Sequence, residues 1–247
     1  MAVTPDPVPV TSEAEWLDAL ARIRRGPLDV AEGSRVVIVA AHPDDETLAL
    51  GGFLQQLSAR AVRLAIVVAT DGEAAFPALS AAERARLADT RRRELHAALR
   101  AHGLGTAPVT WLALPDSRLD EHERRLTRAL RPLLAGADAS VVPWPGDPHP
   151  DHRAAGRAAS AAAPWGGRVW SYPVWMWHWM RPDAAVIPWR RAAVQRLSGE
   201  QRARKSAGLA EFVSQTGPGP AGNGPVLPPR VLAHFERDVE VLFEERR

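Results

Sequence analysis

Two short segments of the chain gather imidazole and carboxylate side chains. "AHPDDE" carries His42, Asp44, Asp45 and Glu46, and "DPHPDH" carries Asp147, His149, Asp151 and His152. A neutral imidazole nitrogen and a carboxylate oxygen suit Zn²⁺, and three protein ligands with one open position is the catalytic pattern. His42 and Asp45, three apart across a turn into a helix, can both point at one ion. The third ligand must come from the second segment, where His152 is well placed at the start of a helix. Asp44 cannot easily share the ion with Asp45, because adjacent side chains diverge. It is left free to take a proton from a water on the metal. Glu46 is expected to favour the helix N-terminus through the dipole.

Each segment alone has a plainer explanation. Asp and Thr at a strand-to-helix turn often just cap the helix, and Gly51-Gly52 would then only allow close helix packing. The two segments together, each following a strand, are hard to obtain that way. The chain contains no cysteine, so a disulfide framework and thiolate ligation are excluded and any metal must be held by His and carboxylates.

The elements that position these residues follow from periodicity. "RVVIVAA" (35–41) is a short β-branched run of the buried-strand type, and "ETLALGGFLQQLSA" continues with helical spacing. Further strands are expected at 62–70, 109–114, 139–144 and 167–172, separated by helices at 80–104, 120–136 (interrupted by Pro132) and 151–163. Strands alternating with helices predict βαβ units. The fold class is therefore α/β, a Rossmann-like three-layer sandwich with a mostly parallel central sheet and a variable C-terminal segment. In such sheets ligands sit outside the carboxyl ends of the strands. If the first and fourth strands are neighbours, as in a 3-2-1-4-5 order, the two polar segments meet at one crevice. The organisation expected is an N-terminal extension (1–34), a catalytic core (35–172) and a C-terminal segment (173–247) completing the same domain. A helix is expected over 199–212, followed by a Gly/Pro loop (216–229).

The 247 residues are enough for a substantial core. The calculated pI near 9.8 accompanies a formal net charge of only +2. Nearly all basic groups are Arg, with Lys205 the sole lysine, so the high pI is no nucleic-acid signature. There is no run of 18 apolar residues for a membrane span and no basic-then-apolar leader at the N-terminus. A cytoplasmic protein is the simplest expectation, and a homo-oligomer is compatible with it.

Asp71 and Asp116, after the second and third strands, fall on the same rim as the metal. They are candidates for binding polar groups of a ligand or for simple turn chemistry. In "VWMWHWM" (174–180), Trp175, Trp177 and Trp179 alternate at period two. Such a stripe is more often core or subunit interface than a ligand platform. Tyr172 and Trp175 are the members of this segment best placed to reach a pocket. His96, His102, His122, His178 and His234 stand apart from both clusters and are read as surface or structural.

"AHPDDETLALGG" with "HPDH" resembles the LmbE-like, or PIG-L, family of zinc-dependent N-deacetylases, over residues 35–160. "TDGE" (70–73), an Arg–Glu pair in "RRRELHAALRAHG" and "LPDSRL" (114–119) also look like family features. The resemblance implies one zinc per chain held by His42, Asp45 and His152, with Asp44 as general base. It implies that His149 stabilises the oxyanion, that Asp151 orients His149, and that Arg91 helps to bind the sugar. The implied activity is hydrolysis of the N-acetyl or N-acyl amide of an aminosugar-containing small molecule. A non-catalytic sugar-binding relative, and a metal hydrolase acting on another amide or an ester, are the alternatives.

Overall fold

The computed structural model describes residues 10–23 and 28–245. Residues 1–9 and 24–27 of the expected N-terminal extension lie outside them. A single seven-stranded sheet has the order β3-β2-β1-β4-β5-β7-β6. It comprises β1 (Arg35–Ala40), β2 (Arg63–Thr70), β3 (Val109–Leu114), β4 (Ala139–Pro143), β5 (Arg168–Tyr172), β6 (Ala192–Arg196) and β7 (Val239–Glu244). The first five strands pair in parallel, in the order expected from the sequence, and β7 runs antiparallel to both β5 and β6.

The alternation of side chains along β1 explains the three layers. Val36, Ile38 and Ala40 face one hydrophobic cluster, and Val37 and Val39 the other. The first cluster is completed by α1 (Glu13–Ala21), α2 (Asp45–Ala59), α3 (Ala81–Ala101) and α7 (Gly199–Ala210), and the second by α4 (Glu123–Leu134) and α5 (Pro150–Ala162). Trp16 of α1 is fully buried and its Nε1 donates to the Trp177 carbonyl at 2.8 Å. The N-terminal helix is thus part of the same core. β6 and β7 were not expected as strands; "AAVQR" is too short and polar to stand out, and it pairs along its whole length with β7. Short α6 (Met176–Trp179) and α8 (Val213–Thr216) follow β5 and α7.

A buried polar network holds α2 from behind. Glu240 of β7 accepts from the backbone N–H groups of Gly52 (2.9 Å) and Phe53 (2.7 Å) and from Lys205 Nζ (2.7 Å). Lys205 and Glu240 are both buried. Removing one partner of a buried pair leaves an uncompensated charge, at a cost of about 3–5 kcal/mol. Lys205→Met is therefore expected to lower unfolding stability by about 3 kcal/mol at neutral pH, read from urea denaturation midpoints.

His102 belongs to the same region. Its ring packs where side chains at Gly51 and Gly208 would stand, and Nδ1 lies 3.2 Å from the Gln55 amide nitrogen. Burial, and then the nearby Lys205 charge, push the imidazole down to about 4 from 6.5. With the folded value below the unfolded one, the contribution to stability is complete above pH 6.5 and is lost as pH falls towards 4. Its size is on the order of 3 kcal/mol. His102→Leu should lose less stability than the wild type across that interval in urea melts; parallel losses would contradict the assignment.

Candidate metal centre and catalytic pocket

The turn after β1 is built by Asp45. Its Oδ2 accepts from the backbone N–H groups of Ala41 (2.9 Å) and His42 (3.0 Å), which fixes where the His42 side chain leaves the chain. Asp44 occupies the N-cap position of α2, yet its side chain makes no capping bond. Simple capping therefore does not account for this carboxylate, which lines the pocket instead. Glu46 differs from expectation. It is fully buried, accepts from Thr47 Oγ1 at 2.7 Å, and is pushed up to about 8 by burial, against that hydrogen bond. Burial thus opposes the charge that its place in the first turn of α2 would favour.

The second cluster follows β4. Because β1 and β4 are adjacent, with Ile38 opposite Val141, their carboxyl ends lie side by side. α5 packs directly on the strand: a Cβ at Gly156 would run into the Pro143 carbonyl. Asp147 is fully buried and organises the loop. Its Oδ1 accepts from His149 N (3.0 Å), and its Oδ2 from Val174 N (2.9 Å) and Trp175 N (3.0 Å). His149 caps α5, its Nδ1 accepting from Asp151 N at 3.2 Å. A neutral His149 therefore carries its proton on Nε2.

The two clusters converge. His42 Nδ1 lies 3.1 Å from His152 Nε2, His152 Nε2 lies 3.3 Å from Asp45 Oδ1, and His42 Nδ1 lies 4.0 Å from Asp45 Oδ2. Ligand atoms on a tetrahedral zinc with bonds of about 2.0–2.2 Å stand about 3.3–3.6 Å apart; His152 Nε2 has that spacing to Asp45 Oδ1 while His42 Nδ1 approaches the other oxygen, Oδ2, and the chemistry of these donors fits the ion. The other nitrogen of each imidazole faces carboxylates. His42 Nε2 is 3.2 Å from Asp116 and 3.3 Å from Asp151, and His152 Nδ1 is 3.4 Å from Asp147. Metal-ligating histidines ordinarily have such partners. Two other groups, His42 with His149 and His152, and His42 with Asp116 and Asp151, offer one ligand atom per residue with all of these atoms within 4.8 Å of one another. The first includes a ring whose Nδ1 is already engaged, and the second uses the His42 nitrogen that points away from His152.

The electrostatics favour a cation here. Burial works against protonation of His42 and His152, but neighbouring carboxylates outweigh it, holding His42 well above its usual value and His152 up at about 9. Burial would raise Asp45, yet the charge of His152 holds it well below the usual carboxylate range. Asp44 goes the other way: burial first, then the Asp45 charge, push it up to about 7. The pocket thus holds more carboxylates than it can leave ionised without added positive charge, and a divalent ion would supply it.

The sequence-derived rim residues divide. Arg91 is buried at the pocket wall, with Nε and Nη2 lacking any hydrogen-bond partner. A Cβ at Gly72 (φ +67°) would collide with its guanidinium. Asp116 lines the pocket and accepts from Ala74 N at 2.8 Å. Asp71 does not line it: the neighbouring Arg92 takes its carboxylate in a bidentate pair of 2.8 and 2.7 Å, and stacks over Trp111. Tyr172 is also elsewhere, fully buried with its hydroxyl donating to Val39 O at 2.8 Å, because β5 points it into the core. The carboxylate of Asp151 serves not His149 but His42, Ser117 N (2.7 Å) and Leu119 N (3.0 Å). Ser117 takes a left-handed φ of +63° in making that contact.

The Trp stripe is not a period-two face. Residues 176–179 form a helical turn, which places Trp175 and Trp179 together and Trp177 apart. Trp175 and Trp179 stack at 4.4 Å, both near-parallel to the His149 ring, and Trp175 lines the pocket. Trp177 meets Trp16 edge-on in the core. Glu94 pairs with Ser214, accepting from its N (2.7 Å) and Oγ (2.6 Å), not with an arginine. This holds α8, whose Gln215 donates to Pro43 O at 2.9 Å and lines the pocket with Leu48, Val174, Val226 and Leu227. Gln215 comes from α8 and Val226 and Leu227 from the Gly/Pro region, and nothing in their local sequence marks them as pocket residues.

Residues 37–163, which contain both clusters, match the family described as "PIG-L: GlcNAc-PI de-N-acetylase". The chain belongs to the PIG-L family. Among curated relatives it is 30% identical over 182 residues to the 1D-myo-inositol 2-acetamido-2-deoxy-alpha-D-glucopyranoside deacetylase of Rhodococcus erythropolis, covering 60% of this chain and 61% of that one. The chain thus spans about three fifths of that relative's length. Among solved structures, the N,N'-diacetylchitobiose deacetylase from Pyrococcus horikoshii superimposes with a TM-score of 0.55 at 21% identity, covering 82% of this chain and 80% of the other. The 4-carboxy-2-hydroxymuconate hydratase from Pseudomonas putida KT2440 does so with 0.56 at 16% identity, covering 86% and 95%. At these identities the structures share the PIG-L fold with this chain, and the fold alone does not choose the reaction. No helix among the described residues is long and apolar enough to cross a membrane.

Proposed function

We propose that this protein is a zinc-dependent N-deacetylase acting on the N-acetyl amide of an aminosugar conjugate, giving acetate and a free amine. The observation that carries this reading is the approach of His42 Nδ1 to His152 Nε2 at 3.1 Å with the Asp45 carboxylate beside them, its Oδ1 3.3 Å from His152 and its Oδ2 4.0 Å from His42, next to Asp44, whose side chain makes no capping bond. Membership of the PIG-L family and the deacetylases among its relatives support it.

Zinc, when bound, supplies Lewis acidity and brings the ionisation of water towards about pH 7. The residues of the chain do the rest. Asp44 takes the proton of the attacking water. His149, with Nδ1 occupied by the Asp151 N–H, presents its Nε2–H to the developing oxyanion. Burial, and then the charges of His152 and His42, hold the His149 imidazole well below its usual value, so it acts as a neutral donor. Asp44 then returns the proton to the leaving amine as the C–N bond breaks. Arg91, Asp116 and Gln215 offer donors and acceptors for sugar hydroxyls at the pocket wall.

The test is acetate release by the zinc-loaded protein across a panel of N-acetylglucosaminyl conjugates, other N-acyl amides and simple esters. Release from at least one N-acetylated aminosugar, at kcat/KM well above that for the esters, is expected. Turnover of esters or other amides alone would favour a hydrolase of a different class. Metal binding without any turnover would favour a sugar-binding module.

A further inference from the structure

The side chain of Asp44 makes no capping bond, which leaves its direction to the peptide that carries it. The residues on either side are fixed separately. The Asp45 carboxylate accepts from the N–H groups of Ala41 and His42, and the Ala41 carbonyl accepts from the Thr70 hydroxyl at 2.9 Å. Pro43 brings no N–H to this turn. The peptide joining Pro43 to Asp44 is held at both of its polar groups. Its N–H donates to the His42 carbonyl at 3.1 Å, and its carbonyl accepts from Gln215 Nε2 at 2.9 Å. Among the described residues no other group donates to that carbonyl. Gln215 is buried and is itself held from two directions. Ser214, the residue before it, donates its N–H and hydroxyl to Glu94 at 2.7 and 2.6 Å, and the Gln215 carbonyl accepts from Leu227 N at 2.9 Å. Ser214, Gln215 and Leu227 all lie beyond residues 37–163, the span of the family match.

We propose that Gln215 is a positioning residue: its amide holds the Pro43–Asp44 peptide and so aims the Asp44 carboxylate. This rests on the reading above, in which Asp44 takes the proton of the attacking water. His42 and His152 keep restraints of their own, from Asp45 and Asp147, so loss of the Gln215 bond misdirects the base and leaves the ion in place. A misplacement of about 1 Å costs on the order of 10²-fold in rate. A segment outside the family match thereby sets the geometry of a motif inside it.

The experiment compares zinc-loaded wild type, Gln215→Met and Ser214→Ala, using acetate release from the best-cleaved N-acetylglucosaminyl conjugate of the panel above and hydrogen–deuterium exchange of the same samples. Gln215→Met keeps the length of the side chain and removes its donor. Its kcat is expected to fall by about 10–100-fold with KM within about twofold of wild type, and zinc to stay at about one ion per chain. Exchange in the peptide spanning residues 42–47 should quicken by about tenfold while that spanning 147–153 is unchanged. Added to Asp44→Asn, Gln215→Met should cost less than about twofold more, because it acts through the group already removed. Ser214→Ala cuts the hydroxyl contact to Glu94, should show the same pattern with a several-fold loss in kcat, and keeps the test open should Gln215→Met fail to fold. A normal kcat in folded Gln215→Met overturns the proposal. So does a raised KM at unchanged kcat, which would make Gln215 a substrate contact, and so does a full additive loss on Asp44→Asn. Loss of zinc would make it a support for His42 instead. Failure of the wild type to cleave any N-acetylated aminosugar conjugate strikes at the deacetylase reading on which the proposal rests.

Discussion

Asp44→Asn is expected to lower kcat by about 10²–10⁴-fold while leaving bound zinc, measured by elemental analysis, at about one ion per chain. The substitution keeps the shape of the side chain and removes only its ability to accept a proton. Its structural cost should be small, because the Asp44 carboxylate forms no capping bond and belongs to none of the tight contacts among His42, Asp45 and His152. KM should change little, since the polar wall of Arg91, Asp116 and Gln215 is untouched. The pH profile gives a second readout. Without metal, burial and Asp45 push Asp44 up to about 7, and a nearby cation draws it down. The acid limb of kcat/KM should therefore lie below pH 7 and disappear in the variant. Normal turnover by Asp44→Asn would mean that another group handles the proton.

The second large effect is expected at His152. His152→Ala removes a donor that lies 3.1 Å from His42 Nδ1 and 3.3 Å from Asp45. Bound zinc should fall to near zero, with activity reduced on the order of 10⁴-fold. A readout independent of turnover is thermal stability. An ion that binds only the folded state at 100 times its Kd stabilises it by about 2.7 kcal/mol. Added zinc should thus raise the melting temperature of the wild type and not of His152→Ala. Asp151→Asn and Asp147→Asn, which alter groups facing the far nitrogens of His42 and His152, should weaken zinc by about 10–100-fold without abolishing binding. Stoichiometric zinc in His152→Ala would move the site to His42, Asp116 and Asp151, the group of ligands that lacks His152.

The contrast between those two variants reflects how the site is built. In the proposed mechanism one turn, after β1, supplies a ligand pair and a separate carboxylate for protons. The other, after β4, supplies the third ligand and the neutral donor His149. Neither turn is sufficient, and the pairing of β1 with β4 joins them. The hydratase from Pseudomonas putida KT2440 shares the fold, so the chemistry proposed here depends on the side chains and not on the sheet.

Much of this was legible in the sequence because the signals are local. β-branched runs against helical periodicity located β1 to β5 and the helices between them. The parallel order then brought "HPDD" and "HPDH" to neighbouring strand ends. Side-chain direction was less accessible. Tyr172 was placed at the pocket, but β5 turns it to the core. Asp71 stood on the rim, but Arg92, one residue beyond Arg91, captures it. A two-residue period was read across 175–179 where the chain makes a helical turn, and only that turn sets Trp175 against Trp179.

The sequence by itself determined the strand-and-helix alternation, the His and carboxylate character of the candidate site and the separation of Asp44 from Asp45, because each depends on residues within a few positions of one another. The tertiary structure alone decided which imidazole the Asp151 carboxylate serves, that Glu46 is buried and its carboxyl pushed up, and that α8 and residues 226–227 complete the pocket. Those outcomes depend on what packs against a side chain from far along the chain, and burial and charge act through space rather than along it.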